Sequence, residues 1–195
     1  NDRVVGGYDL VGDAYDSRTG EAPVPDEFPD DCGGHGSHVA GIIGADGEVV
    51  GVAPKVDLLS YRVFGCEGSS DTEVILEAME RAMDDGADVV NMSLGASFMT
   101  WQDYPTAQMV ETLVDDDVTV VISAGNEGAA GLFSSGAPGV AESAITVASA
   151  APALAQEGGT STMQQLDTVI VTGRAGTGVL APVTPESFLA TLESP

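Results

Sequence analysis

His35 is the residue of this chain best placed to move a proton, because it stands in Gly34-His35-Gly36-Ser37-His38-Val39-Ala40-Gly41 with small residues on both sides. A helix that begins at His35 favours the neutral imidazole that a general base must be. Gly34 and Gly36 keep its surroundings open to a substrate, while Val39, Ala40, Ile42 and Ile43 read as the face that anchors the helix in a core. His38 reads as structural. A His-x-x-His pair also suggests a metal, but helical zinc-protease pairs stand at i and i+4 with a Glu between them. Here the spacing is i and i+3 and Gly36-Ser37 fill the gap, so no metal ligand is assigned.

A second group with chemistry to offer is Asn126, in Ala124-Gly125-Asn126-Glu127-Gly128. Its side-chain amide can donate to the oxyanion that forms when a peptide carbonyl is attacked, and Gly125 leaves room beside it. An isolated Gly-Asn pair is more commonly a turn. Between the two stretches lies Asn91-Met92-Ser93-Leu94-Gly95, and three such motifs in one order are not a chance arrangement.

Positioning these residues calls for alternating strands and helices. Val56 to Phe64 reads as a strand, followed by Ser70-Asp71-Thr72-Glu73 as a capping box and by Val74, Ile75, Ala78, Met79, Ala82 and Met83 as one apolar helical stripe. Gly86 stands where a helix end needs a left-handed residue, and Asp88 to Leu94 follows as a buried strand. A second helix takes Pro105 in its first turn, turns Ala107, Met109, Val110, Leu113 and Val114 inward, and stops at Asp115-Asp116-Asp117, carboxylates that oppose the helix dipole. Val118 to Ser123 and Ala144 to Ala148 complete the pattern. Repeated strand-helix-strand units predict an α/β fold, a parallel sheet flanked by helices, with sites at the carboxyl ends of its strands. From about Ala151 the rhythm gives way to Ala, Pro, Gly and Thr and a β-like run from Asp167 to Thr172. The chain therefore divides into 1–150 and a β-rich tail, 151–195.

Charge narrows the partners. Acidic residues outnumber basic ones 31 to 6, a formal net charge of −25, while 43% of residues are apolar. Such a chain can build a core but repels phosphate backbones and anionic membranes, so neither nucleic acid nor a membrane is expected as a partner. No apolar run is long enough to span a bilayer. Residue 1 is Asn, with no leader behind it, which is expected if a leader and propeptide were removed or if the chain begins within a domain; the strand content favours the second.

In these motifs residues 4 to about 150 resemble the subtilisin-like serine proteases. Val4-Val5-Gly6-Gly7-Tyr8-Asp9-Leu10 and Tyr61-Arg62-Val63-Phe64-Gly65 are similar to those of secreted members with a protease-associated insertion between the oxyanion Asn and the nucleophile. The resemblance implies a secreted serine endopeptidase acting on peptide or protein substrates. It gives His35 the role of general base and Asn126 that of oxyanion donor. It also implies that Ser93, Leu94, Gly95, Ala124 and Gly125 line the pocket for the residue before the scissile bond, and that Gly68, Ser69 and Ser70 pair with the substrate backbone as an added strand. The tail would begin the insertion, no cofactor would be required, calcium is admitted but unplaced, and a monomer is expected.

Two departures matter. The family's Asp ends an apolar strand and is followed by Ser or Thr and Gly; Asp16, followed by Ser17 and Arg18, does not fit. Its nucleophile opens a buried small-residue helix, whereas Gly159-Thr160-Ser161-Thr162-Met163 interposes Thr162 and leads through Gln164 and Gln165 into a β-like run, so Ser161 reads as a linker serine. The expectation is a central fragment, without catalytic Asp and Ser, that alone does not hydrolyse peptides. The alternative is a non-catalytic subtilase-fold module that binds peptides or cations.

Cys32 and Cys66 are the only cysteines. An even count in an extracellular chain suggests a disulfide, and the resemblance puts Cys32 just before the His and Cys66 just after the strand beside the same cleft. Two separate buried thiols are the alternative.

Overall fold

A computed structural model of the chain describes residues 3–148 and 169–174. Strands β1 (Val4–Asp9), β2 (Asp57–Arg62), β3 (Val89–Met92), β4 (Thr119–Ser123), β5 (Ile145–Val147) and β6 (Val169–Arg174) alternate with helices α1 (His35–Gly44), α2 (Thr72–Asp84) and α3 (Pro105–Asp115) from β1 to β4. They form one sheet in the order β1-β2-β6-β3-β4-β5. The β1-β2, β3-β4 and β4-β5 pairs are parallel, while β6 runs antiparallel to both of its neighbours, β2 and β3.

Period-two alternation along β2 divides the core. Leu59 and Tyr61 face one way, Leu58 the other. On the first face Tyr61, Val90, Met92, Val120 and Ile122 pack against Ala78, Met79 and Ala82 of α2 and Ala107, Val110 and Leu113 of α3, all at most 1% exposed. On the second, Val39, Ala40 and Ile43 of α1 and Val56 close over Leu58. The helices thus flank the sheet on both sides, as the alternating pattern predicts.

Helix ends follow the local chemistry with one correction. The cap of α2 is Asp71 rather than Ser70, and no side chain of a capping box bonds to the helix. At its other end Gly86 takes φ 74°, and Gly86 N–H and Ala87 N–H donate to the carbonyls of Met83 and Ala82, the paired bonds of a Schellman end. Pro105 opens α3 as its first residue. A second correction concerns Ile42, which is 55% exposed. At about 100° per residue, Val39, Ala40 and Ile43 share a face from which Ile42 is turned away.

Of the tail, β6 is described and the remainder, including Ser161, lies outside the described residues.

Candidate active site at the carboxyl edge of the sheet

The direction of α1 fixes where His35 stands. Gly44 at its C-terminus sits over Val56 and Leu58, where β2 begins, so His35 at its N-terminus lies toward the carboxyl end of β2. The Cys32–Cys66 disulfide, with Cα atoms 5.2 Å apart, ties the approach to α1 to the segment just beyond β2. Asn126 follows β4, Ser93-Leu94-Gly95 follow β3, and Gly68-Ser69-Ser70 follow β2. All the residues singled out for chemistry therefore gather along one edge of the sheet, the edge where open parallel sheets place their sites.

Gly34, at φ 86°, is the residue before α1, and no side-chain oxygen of its own is there to receive the first amides. Asp31 supplies one. Its Oδ1 accepts the N–H of Gly33 at 2.9 Å and of Gly34 at 2.8 Å, and its Oδ2 accepts the N–H of Ser37 at 2.7 Å. Burial pushes the Asp31 carboxyl up, but the bonds from Ser37, Gly34 and Gly33 outweigh it and hold it below the usual carboxylate range. The imidazole that follows is half-buried. Its Nδ1 is buried and has no hydrogen-bond partner among the described residues, and a buried polar atom of this kind calls for one.

A second brace lies behind the disulfide. Asp9 and Arg62, the carboxyl-terminal residues of β1 and β2, are register partners. Arg62 Nη1 donates to Asp9 Oδ2 at 2.9 Å and to Asp13 Oδ1 at 2.8 Å, with the Arg62 and Asp9 side chains 4% and 1% exposed. Asp9 Oδ1 also accepts the N–H groups of Val11 and Gly12. Arg62 Nη2 points at Cys32 Sγ, 2.9 Å away. Burial alone would lower the Arg62 pKa; the Asp13 and Asp9 carboxylates reverse this and raise it. Asp13, Cys32 and Cys66 bring three donor atoms within 4.8 Å, yet both sulfurs are committed to the disulfide and offer no thiolate to a metal.

Asp16 is bonded elsewhere. It takes Arg18 Nε and Nη2 at 3.1 and 3.0 Å and Ser69 N–H at 3.1 Å, and Arg18 holds its carboxyl far below the usual range. A Cβ on Gly68 would meet Asp16 Cγ at 2.4 Å. Asp16 therefore braces the 68–70 segment rather than His35. In the same segment Ser69 O accepts Ser17 N–H at 3.0 Å.

The remaining loops are arranged around β3 and β4. Ser93 Oγ accepts Asn91 Nδ2 at 3.1 Å, and Ser123 Oγ donates to Leu94 O at 3.1 Å, which joins the ends of the two strands. Gly125 has φ 103° with open space where a Cβ would be, and Asn126 beside it is exposed. Asp115 to Asp117 are exposed at the end of α3, Asp116 forming its cap. A cleft of about 740 Å³ along the flank of α1 is lined by Asp31, Gly36 and Ser37 but by neither His35 nor Asn126, and it is not the site of the chemistry.

Asp31, Asp9 and Arg62 are the residues the motifs do not reveal. A charged residue closing an apolar strand, as in Gly7-Tyr8-Asp9 and Ser60-Tyr61-Arg62, hints that each is held at a strand end, but nothing local pairs the two.

Comparison with known proteins bears on the same residues. A model described as the subtilase family matches residues 9–187. Minor extracellular protease Vpr of Bacillus subtilis is 42% identical over 141 residues, which are 72% of this chain and 17% of that protein. Alkaline protease 1 of Emericella nidulans is 42% identical over 125 residues, 60% of this chain and 29% of that one. The crystal structure of the nisin leader peptidase NisP from Lactococcus lactis aligns with a TM-score of 0.51 and 31% identity, over 62% of this chain and 37% of that chain. The chain thus spans less than a third of the length of the two proteases.

Proposed function

The chain belongs to the subtilase family, and we propose from that premise that it is the central part of a secreted serine endopeptidase, with His35 as general base and Asn126 as oxyanion donor. The observation that carries the reading is the buried Nδ1 of His35, which finds no acceptor among the described residues. A catalytic imidazole needs a carboxylate there to fix its tautomer and to stabilise the imidazolium. The carboxylate comes from a segment outside the described residues, as does the nucleophilic serine, and residues 151–195 begin the inserted β-rich segment.

The roles follow from position. Nε2 of His35 takes the proton of the serine hydroxyl as its oxygen attacks the peptide carbonyl, then gives that proton to the leaving amine. The Asn126 amide donates to the carbonyl oxygen as it becomes an oxyanion. Of the 68–70 segment, Gly68 and Ser70 pair with the substrate backbone, while the Ser69 N–H and carbonyl are turned to Asp16 and Ser17; Ser93, Leu94, Gly95, Ala124 and Gly125 line the pocket for the residue before the scissile bond. The reading needs no cofactor and describes a monomer; calcium has no assigned place. Secretion is supported by the extracellular protease among the relatives and by the disulfide.

The test is a fluorophosphonate probe, which bonds only activated serines, applied to the native protein and located by mass spectrometry. A label on a serine outside residues 1–195 is expected. A label on Ser161 would place the nucleophile within this chain, and folded, processed protein without label would be a peptide- or cation-binding module instead.

A further inference from the structure

Residues 65–71, the stretch that contains the substrate-pairing segment, lie against residues 13–17 of the loop between β1 and α1. Asp13 O accepts Cys66 N–H at 2.9 Å, and Ser17 N–H donates to Ser69 O at 3.0 Å. Asp16 Oδ1 accepts Ser69 N–H at 3.1 Å and the Ser69 hydroxyl at 3.3 Å. Tyr15 Oη donates to Asp71 Oδ2 at 3.0 Å and accepts Asp71 N–H at 3.3 Å. A Cβ on Gly65 would meet Tyr15 O at 2.3 Å, and one on Gly68 would meet Asp16 Cγ at 2.4 Å. A side chain at either place would push the two strips apart, so the substrate-pairing segment takes its course from the loop behind it.

Asp16 is the fixed point of that strip. Arg18 Nε and the Arg18 backbone N–H both donate to its Oδ1 at 3.1 Å, and Arg18 Nη2 to its Oδ2 at 3.0 Å. The Asp16 side chain is 17% exposed against 62% for Arg18, so the guanidinium stands at the surface while the carboxylate is covered. With both backbone groups of Ser69 turned to this strip, a substrate strand adds through the groups of its neighbours, Gly68 and Ser70. Where Asp16 holds Ser69 therefore decides where a peptide paired with Gly68 and Ser70 comes to lie.

We propose that Asp16 is a positioning residue for the substrate: by fixing Ser69 from behind, it sets the register in which an extended peptide pairs with residues 68–70, and so where the scissile bond falls relative to His35 and Asn126. The inference rests on the peptidase reading above. Asp16 acts through Ser69 and touches neither the peptide nor the reacting atoms.

The experiment measures kcat/KM of the native protein on two blocked esters with the same leaving group, one of a tetrapeptide and one of its last residue alone. Only the tetrapeptide reaches residues 68–70, so its advantage over the single residue measures that pairing. In Asp16→Ala the advantage should fall about tenfold, the worth of a pair of weakened backbone hydrogen bonds. Asp16→Asn keeps an oxygen that accepts from Ser69 and should recover most of it. A residue that only stabilised the fold would lower both rates together, through the folded fraction. If Asp16→Ala does not fold, Arg18→Gln, at an exposed side chain, loosens the same carboxylate and should lower the advantage in the same direction. An advantage unchanged in the folded variant, or an Asn variant no better than Ala, overturns the positioning role alone. Native protein that cleaves neither ester refutes the peptidase reading, and the positioning role with it.

Discussion

The carboxylate of Asp31 accepts the backbone N–H of Ser37 at 2.7 Å, so the helix that begins with His35 is capped by a residue four positions before it. A cap of this kind is worth about 1 kcal/mol, and Asp31→Ala is expected to lower stability by about that much. The pH dependence follows from the depressed Asp31 pKa. A carboxyl held lower when folded than unfolded adds stability above its unfolded pKa of about 3.9, and loses it as pH falls through the folded value. The Tm gap between the native chain and Asp31→Ala should be constant from neutral pH down to about pH 5 and close below about pH 4. A gap that instead widened in acid would contradict the assignment.

Arg62 and Asp9 offer a sharper contrast between removing one partner and removing two. Arg62→Met leaves Asp9, at 1% exposure, as a buried charge whose partner has gone, and should cost about 3 to 5 kcal/mol in urea unfolding. Combining it with Asp9→Asn removes that charge and should recover a large part of the loss. Additive losses in the double variant would mean that the two side chains do not act as a pair.

The disulfide closes a loop with a sequence separation of 34. Loop-closure entropy puts its stabilisation at about 3 to 4 kcal/mol. Because Cys32 is exposed, a mild phosphine should reduce it in the folded protein. The expected outcome is a lower urea midpoint and faster amide exchange around residues 31–37, the segment that carries His35; an unchanged exchange rate there would show that the bond does not brace α1.

How much of this was legible in the residues depends on the range of the interaction. Periodicity and end signals located α2 and α3, because Ala78, Met79, Ala82, Val110 and Leu113 fall on single stripes and Gly86 and Pro105 obey local backbone rules. The motifs located His35 and Asn126, and the structure carries both to one edge of the sheet. What stayed hidden is long-range. Arg62 meets Asp9 across 53 residues, Asp16 meets Ser69 across another 53, and no local pattern encodes either. Ile42 was misread because apolar character alone does not separate a helix's buried face from its flank. The pairing of β6 between β2 and β3 has no local signal either, since a short β-like run does not name its neighbours.

Asn126 gives the most direct test of the chemistry. It is exposed, so Asn126→Ala should leave the unfolding free energy within about 0.5 kcal/mol of the parent, as surface substitutions commonly do. If its amide donates to the oxyanion, kcat on a peptide substrate should fall about a hundredfold to a thousandfold, a magnitude taken from a subtilisin of the same family rather than derived from this chain. KM should change little, because the ground-state carbonyl does not yet carry the charge that the amide stabilises. The alternative role, an asparagine that shapes the turn after β4, predicts the reverse: a lower Tm and a raised KM with kcat preserved. Gly125, at φ 103° with no atom near its missing Cβ, already accounts for that turn, so the turn itself does not require the Asn126 amide.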